Sequence, residues 1–545
     1  MSATWWALDK WFGKRIVSDT RRYLAEMATA PLQASRNRTS ELLRALEKRP
    51  GPRVVLGETD WGEPVPIPLP DLVQSHGLIT GGSGSGKTMA TLLIVDGILE
   101  NHDLYPAGFA VADGAKSDLF LGTLWLIQRK LAELSKRDPA AASKFRRRIR
   151  IIDFAATEVV TEFNILSPWP DADLEAFAGH QVDLLLDLLP DGDALKLAAA
   201  PLRSLVQIFS GAEIGMSVID LIQALNDEPF LASVLAGCGN RALVETVRRQ
   251  LATVSRSTRA ALQRRLEALV ASKSVSRMLA GGTAPDYRRF QDEACFVAVN
   301  CAGPNIPGSL TRFLNTLDVS YFCRSIYGRR RPEVPFVKFA DEAQDLFASP
   351  IMREHLSDAG RLARRYGTRF CFITQNLSAA VSDARMLSLL HTNAGWTWSG
   401  RGDPADCAFL RGMLPATGRR PRPKKSPFEE TRFYSPAEEQ SLLLEEVANL
   451  PDRTAYLWLK GRSPEAIKIR TRDLDIPQGR ELEEVTVAMR RDPTIGQRLS
   501  GKEYDRRRAE RERKHMPEER GEVDAALAQA YRRTRREGAA RETGA

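Results

Sequence analysis

Residues Gly81-Gly82-Ser83-Gly84-Ser85-Gly86-Lys87-Thr88 match G-x-x-x-x-G-K-[ST], the spacing of a loop that wraps phosphate. Its glycines let backbone N–H groups turn inward around phosphate oxygens. A helix starting where the loop ends points its positive end at the same anion. Lys87 is placed to reach the β- and γ-phosphates, and the Thr88 hydroxyl to ligate Mg²⁺. ATP and Mg²⁺ are therefore the expected cofactors. A glycine-rich turn that binds nothing would have no need of Lys and Thr in register. Far downstream, an apolar run from Val334 ends in Ala340-Asp341-Glu342-Ala343. Here Asp341 would hold Mg²⁺ through water, opposite Thr88, and Glu342 would orient and polarise the attacking water.

Further candidates follow the same logic. Arg369–Thr374 (RFCFIT) is a buried-strand pattern that ends in Gln375-Asn376. A polar tip on a strand beside the Asp-Glu strand can sense a γ-phosphate, which singles out Gln375. Arg361, Arg364, Arg365 and Arg401 are candidates for an arginine donated across a subunit interface to transition-state charge. Arg365 is the one assigned here, although a structural salt bridge is the ordinary role of any single arginine. Lys338, a charge inside the Asp-Glu strand, is expected to snorkel at a strand edge.

These residues need a scaffold. Leu78-Ile79-Thr80 is a short apolar strand before the phosphate loop, and a helical pattern follows it to about Glu100. Arg53–Leu56 and Val65–Leu69 form a predicted hairpin. Ala107–Ala112, ending at Asp113, and Arg148–Phe154 are further strands, with a helix over about Leu119–Lys136 between them. Ala294–Asn300, a helix from about Ser309 to Tyr327, the Asp-Glu strand, an Arg-rich helix over Met352–Tyr366 and strands at 369–374 and 391–400 continue the alternation. Thr454–Lys460 and Ala466–Arg472 look like a last hairpin. Alternation of this kind predicts an α/β fold with a parallel-rich sheet.

Between about Asp171 and Ala284 the strand pattern stops. Helices are expected over 174–189, 194–210 and 218–235, with a long one over 242–279, an all-α insertion. The last carries Arg248, Arg249, Arg256, Arg259, Arg264, Arg265, Lys273 and Arg277, either a solvated face or a surface for nucleic-acid phosphates. Arg419–Lys425 is a basic, Pro-broken loop with the same two readings. At the N-terminus, Trp5, Leu8, Trp11, Phe12 and Ile16 fall at helical spacing; docking on protein is favoured over a membrane surface. The charge-dense tail from Gly501 is expected to be a loose helix or disordered. The divisions are 1–50 helical, 51–170 with 286–477 the ATPase domain, 171–285 the insertion and 478–545 the tail.

Bulk composition agrees. Net charge is +9 over 545 residues, with 43% hydrophobic residues, so an anionic partner is favoured. Six cysteines lack a CxxC and read as reduced, mostly buried thiols of a cytosolic protein. The histidines are scattered, which argues against a histidine zinc site. No apolar run of about 18 residues is present, so no integral membrane span is expected.

Taken in order, VLG…PIPLPDLVQSHGLITGGSGSGKT, the run Asp113…Lys116…Asp118-Leu119, Phe163-Asn164-Ile165-Leu166, Asp341-Glu342-Ala343 and RLARRYGTRFCFITQN resemble the conjugative coupling ATPases of type IV secretion. That is the TraG/TraD group of the FtsK/HerA class, and the resemblance spans roughly residues 50–475. It implies a RecA-like P-loop ATPase domain with an inserted all-α domain, in a homo-hexameric ring with DNA in its channel. It also implies a relaxase–DNA partner, a secretion channel and a cytoplasmic site peripheral to the inner membrane. Members carry N-terminal membrane helices; none is expected in this sequence, so a membrane partner or the Trp-rich helix would tether it. The alternatives are a soluble HerA-like motor in DNA processing or phage defence, and a nucleotide-gated receptor with little motor activity.

Overall fold

The computed structural model describes residues 36–169, 171–188, 197–212, 215–377, 390–403, 405–406, 410, 414–422, 430, 432–496 and 498–515. The Trp-rich stretch 1–20, loop residues 423–425 and the tail beyond 515 lie outside the described residues. In chain order the strands are β1 (Arg53–Glu58), β2 (Pro64–Pro68), β3 (His76–Thr80), β4 (Gly108–Asp113), β5 (Ile149–Asp153), β6 (Val159–Val160) and β7 (Phe296–Asn300). They continue with β8 (Phe336–Ala340), β9 (Thr368–Thr374), β10 (Ala394–Ser399), β11 (Thr454–Leu459), β12 (Ile467–Thr471) and β13 (Leu499–Ser500).

The chain divides into two compact units. The first comprises the described residues through Ala107, with Glu333–Phe347 and Gly360–Asp475. Its strands lie in the order β2-β1-β12-β11-β10-β3-β9-β8. From β10 to β8 the neighbours run parallel; from β11 to β2 each pairs antiparallel. The parallel strands are short and buried along nearly their whole length, so they lack the alternation of a half-exposed strand. The expected β1–β2 and β11–β12 hairpins are both present. Helix Lys87–Glu100 packs on β1 at Gly97, where a Cβ would stand 2.2 Å from Val54 Cγ2. Every residue of β8 is buried, including Lys338, which has no exposed surface. Lys338 therefore does not snorkel at an edge.

The second unit comprises Gly108–Pro332, Ala348–Ala359 and the described residues from Ile476. Its parallel strands β4-β7-β5 end in register, with Asp113 opposite Asn300 and Asn300 opposite Asp153. Described elements from Leu174 to Asp292 are all helices. Two expected helices are broken. The stretch 218–235 is Val218–Asn226 and Glu228–Ala236, because Asp227 caps a new helix at Phe230 N–H, with a Pro in its first turn. The long helix over 242–279 is three, Arg241–Thr253, Arg256–Leu269 and Lys273–Leu279. Ser255 starts the second by accepting from Thr258 N–H. Residues 501–515, expected to be loose, form a helix whose Tyr504 is fully buried. Among the described residues, no helix is long and apolar enough to cross a membrane.

Candidate nucleotide site

Three neighbouring parallel strands of the first unit bring the candidate residues together. β9 lies between β3 and β8, and Thr80 at the end of β3 pairs with Thr374 at the end of β9. The phosphate loop leaves β3, Asp341-Glu342 leave β8 and Gln375 leaves β9, all at carboxyl ends. Ligands bind at this end of such sheets.

The loop is shaped for an anion. Gly81, Gly84 and Gly86 have φ of 146°, 78° and 96°, a region that favours glycine. A Cβ at Gly81 would meet Ser85 Oγ at 2.8 Å and Gly400 Cα at 3.1 Å. Ser85 Oγ and Thr471 Oγ1, both buried, have no hydrogen-bond partner among the described residues. Lys87 Nζ folds back to donate to the carbonyls of Gly81 (2.7 Å) and Gly82 (3.0 Å). A phosphate would replace these carbonyls as its acceptor. Orphaned hydroxyls, glycines of positive φ and a lysine folded over the loop together fit a nucleotide phosphate. Asp341 follows directly on β8, and Thr88 is the second residue of the loop helix.

Glu342 and Gln375 meet. Gln375 Nε2 donates to Glu342 Oε1 at 2.8 Å. Gln344 Nε2 donates to Glu342 Oε2, and Thr374 Oγ1 donates to Gln344 Oε1 at 2.8 Å. Neither Gln344 nor Thr374 stood out in the sequence, because a hydrogen-bonded amide has no motif of its own.

Among solved structures, the chain is similar to the bacterial conjugative coupling protein TrwBdeltaN70 in its unbound monoclinic form. Identity is 19% and the TM-score 0.51, over 84% of this chain and 95% of that one. The fold is that of a conjugative coupling protein. The trigonal form of TrwBdeltaN70 in complex with sulphate matches at 17% identity and a TM-score of 0.51, over 84% and 94%. VirB4 of Thermoanaerobacter pseudethanolicus matches at 17% and 0.48, over 78% and 98%. No family model matches the chain, and no curated protein matches it.

Within this coupling-protein fold, the arginine candidates separate. Arg401 sits beside its own phosphate loop: its carbonyl accepts from Gly82 N–H at 2.6 Å and its guanidinium pairs with Asp452 at 3.0 Å. It is thus engaged within the subunit. Asp452 and Arg453, unmarked in the sequence, edge the loop too, the Arg453 Cα 3.4 Å from a Cβ at Gly86. Arg361 lies in the last turn of helix Pro350–Ala363, and Arg364 and Arg365 are exposed on the turn after it. The structure does not bring Arg365 to the site of its own chain. The run Asp113…Lys116…Asp118 lies in the second unit. Asp113 Oδ1 accepts from the N–H groups of Ala115, Lys116 and Ser117, and Oδ2 from Phe120 N–H. It fixes the turn into helix Asp118–Arg137.

Proposed function

We propose that this chain is an ATP-hydrolysing DNA translocase. Like a coupling protein, it would pass DNA or a relaxase–DNA complex to a type IV secretion channel. The observation that carries the reading is the convergence of Lys87, Glu342 and Gln375 on adjacent carboxyl ends of β3, β8 and β9, on a coupling-protein fold. Thr88 and Asp341 would hold Mg²⁺, which would supply positive charge to neutralise the phosphates. Lys87 leaves its loop carbonyls to bind the phosphates. Glu342 accepts a proton from water, and Gln375 reports the γ-phosphate. Exposed Arg365 is suited to reach the site of a neighbouring subunit, in a homo-hexamer with DNA in the ring. Arg248, Arg249, Arg256, Arg264 and Lys273 are exposed on the helices of the second unit and offer contacts to phosphates. Cytoplasmic, peripheral placement at the inner membrane would follow from a channel partner.

Two substitutions test the site. Lys87→Ala is expected to abolish ATP turnover while the thermal midpoint stays at that of the parent. Glu342→Gln is expected to bind ATP and stall; parent-rate hydrolysis by it would refute Glu342 as the general base.

A further inference from the structure

The carboxylate of Glu342 is gripped at both oxygens. Gln375 Nε2 donates to Oε1 at 2.8 Å, and Gln344 Nε2 donates to Oε2. The Gln344 amide has no freedom to reverse. Its Oε1 accepts the Thr374 hydroxyl at 2.8 Å, and the other acceptor within reach of that hydroxyl, the Asn376 carbonyl, is farther off at 3.4 Å. An amide has one accepting end and one donating end. A hydroxyl donating into the first leaves the NH₂ end for the carboxylate, and a reversed amide would set oxygen against oxygen. Thr374 itself is fully buried at the end of β9. The backbone at Glu342 is left-handed, φ 51°. A bulky residue keeps that conformation only where its surroundings over-determine it.

We infer that Gln344, oriented by Thr374, is a positioning residue for Glu342. Gln344 anchors Oε2 throughout the cycle. Gln375 occupies Oε1 until a γ-phosphate draws it away, and Oε1 then turns to the attacking water. Gln344 thus stands two residues after the base, in the first turn of the helix Ala343–Ala348 that follows β8, while the hydroxyl that sets its orientation comes from the end of β9. The inference rests on the reading of Glu342 as general base.

The test is steady-state ATP hydrolysis by the full chain, paired with the Kd of a fluorescent ATP analogue. The variants are Gln344→Met, Thr374→Val, the double variant and Thr374→Ser. Each single loss is expected to lower kcat on the order of 100-fold, the cost of a general base displaced by about an ångström, at unchanged Kd. The double variant should be no slower than the slower single, since both break one chain of hydrogen bonds. Thr374→Ser, which keeps the hydroxyl, should restore kcat to within about threefold of the parent. Should Thr374→Val fail to fold, Gln344→Met and Thr374→Ser carry the same comparison. Parent kcat in Gln344→Met, a loss in Kd rather than kcat, or multiplicative effects in the double variant would overturn the inference and leave Glu342 as base. A parent protein no faster than Lys87→Ala would overturn both.

Discussion

Gly81 and Glu342 are held at positive φ, and Lys87 Nζ is held on the carbonyls of its own loop. Gly81 has a φ that side chains disfavour, and an added Cβ would meet Ser85 Oγ and Gly400 Cα. Gly81→Ala is expected to weaken nucleotide binding roughly tenfold to 100-fold, the equivalent of about 1–3 kcal/mol of local strain, with little change in thermal midpoint. Titrating a fluorescent ATP analogue checks this, and unaltered affinity would mean the loop does not close around phosphate. These residues were legible in the sequence because phosphate binding needs fixed types at fixed spacing. Arg401 was visible as an arginine, but not as a neighbour of Gly82. Its place follows from β10 running parallel beside β3, a pairing between segments more than 300 residues apart.

Strands and helices were legible where an apolar period ran unbroken, as in β3, β4, β9 and helix Lys87–Glu100. Breaks were missed where one polar cap divides a continuous leucine pattern, at Asp227 and Ser255. The helix Gly501–His515 was one of two readings of the tail, but its docking was missed because one tyrosine does the packing amid charged residues. Tyr504→Ala should cost about 3 kcal/mol if that helix is docked; denaturant midpoints would show it, and a neutral result would mean the helix is loose. A second element-scale prediction concerns helices Leu174–Leu188 and Pro350–Ala363. His180 and His355 lie with ring centroids 4.3 Å apart, and Arg324 Nη2 donates to His180 Nδ1 (2.8 Å) and His355 Nε2 (3.2 Å). Burial first, then the Arg324 guanidinium, push His180 down to about 2 and His355 down to about 4, although Asp358 pulls His355 the other way. In the unfolded chain both take up protons near the ordinary value of 6.5, while in the fold they stay neutral. Stability is thus full above 6.5 and is lost as pH falls toward about 4 and below. The thermal midpoint should drop through that window, and His355→Gln should flatten the drop; a midpoint independent of pH there would contradict the neutral pair.

At the scale of the molecule, the sequence order of phosphate loop, Asp-Glu strand and glutamine-tipped strand maps onto a fold shared with a conjugative coupling protein. The sequence reading expected one discontinuity, the insertion at 171–285 between 51–170 and 286–477; each of the two units gathers three segments of chain. The basic loop at 419–425 is partly neutralised: Arg420 pairs with Glu446 and Arg422 with Glu438, both carboxylates on helix Pro436–Ala448. The exposed arginines of helices Arg241–Thr253 and Arg256–Leu269 are therefore the better candidates for phosphate contacts. The measurement that bears most directly on a DNA motor is the steady-state ATP hydrolysis rate with and without double- and single-stranded DNA, across salt concentrations, with Lys87→Ala as the blank. The predicted result is stimulation by DNA that fades as salt rises, because gripping phosphates releases counterions. A rate above the Lys87→Ala blank that neither form of DNA moves at any salt concentration would contradict it.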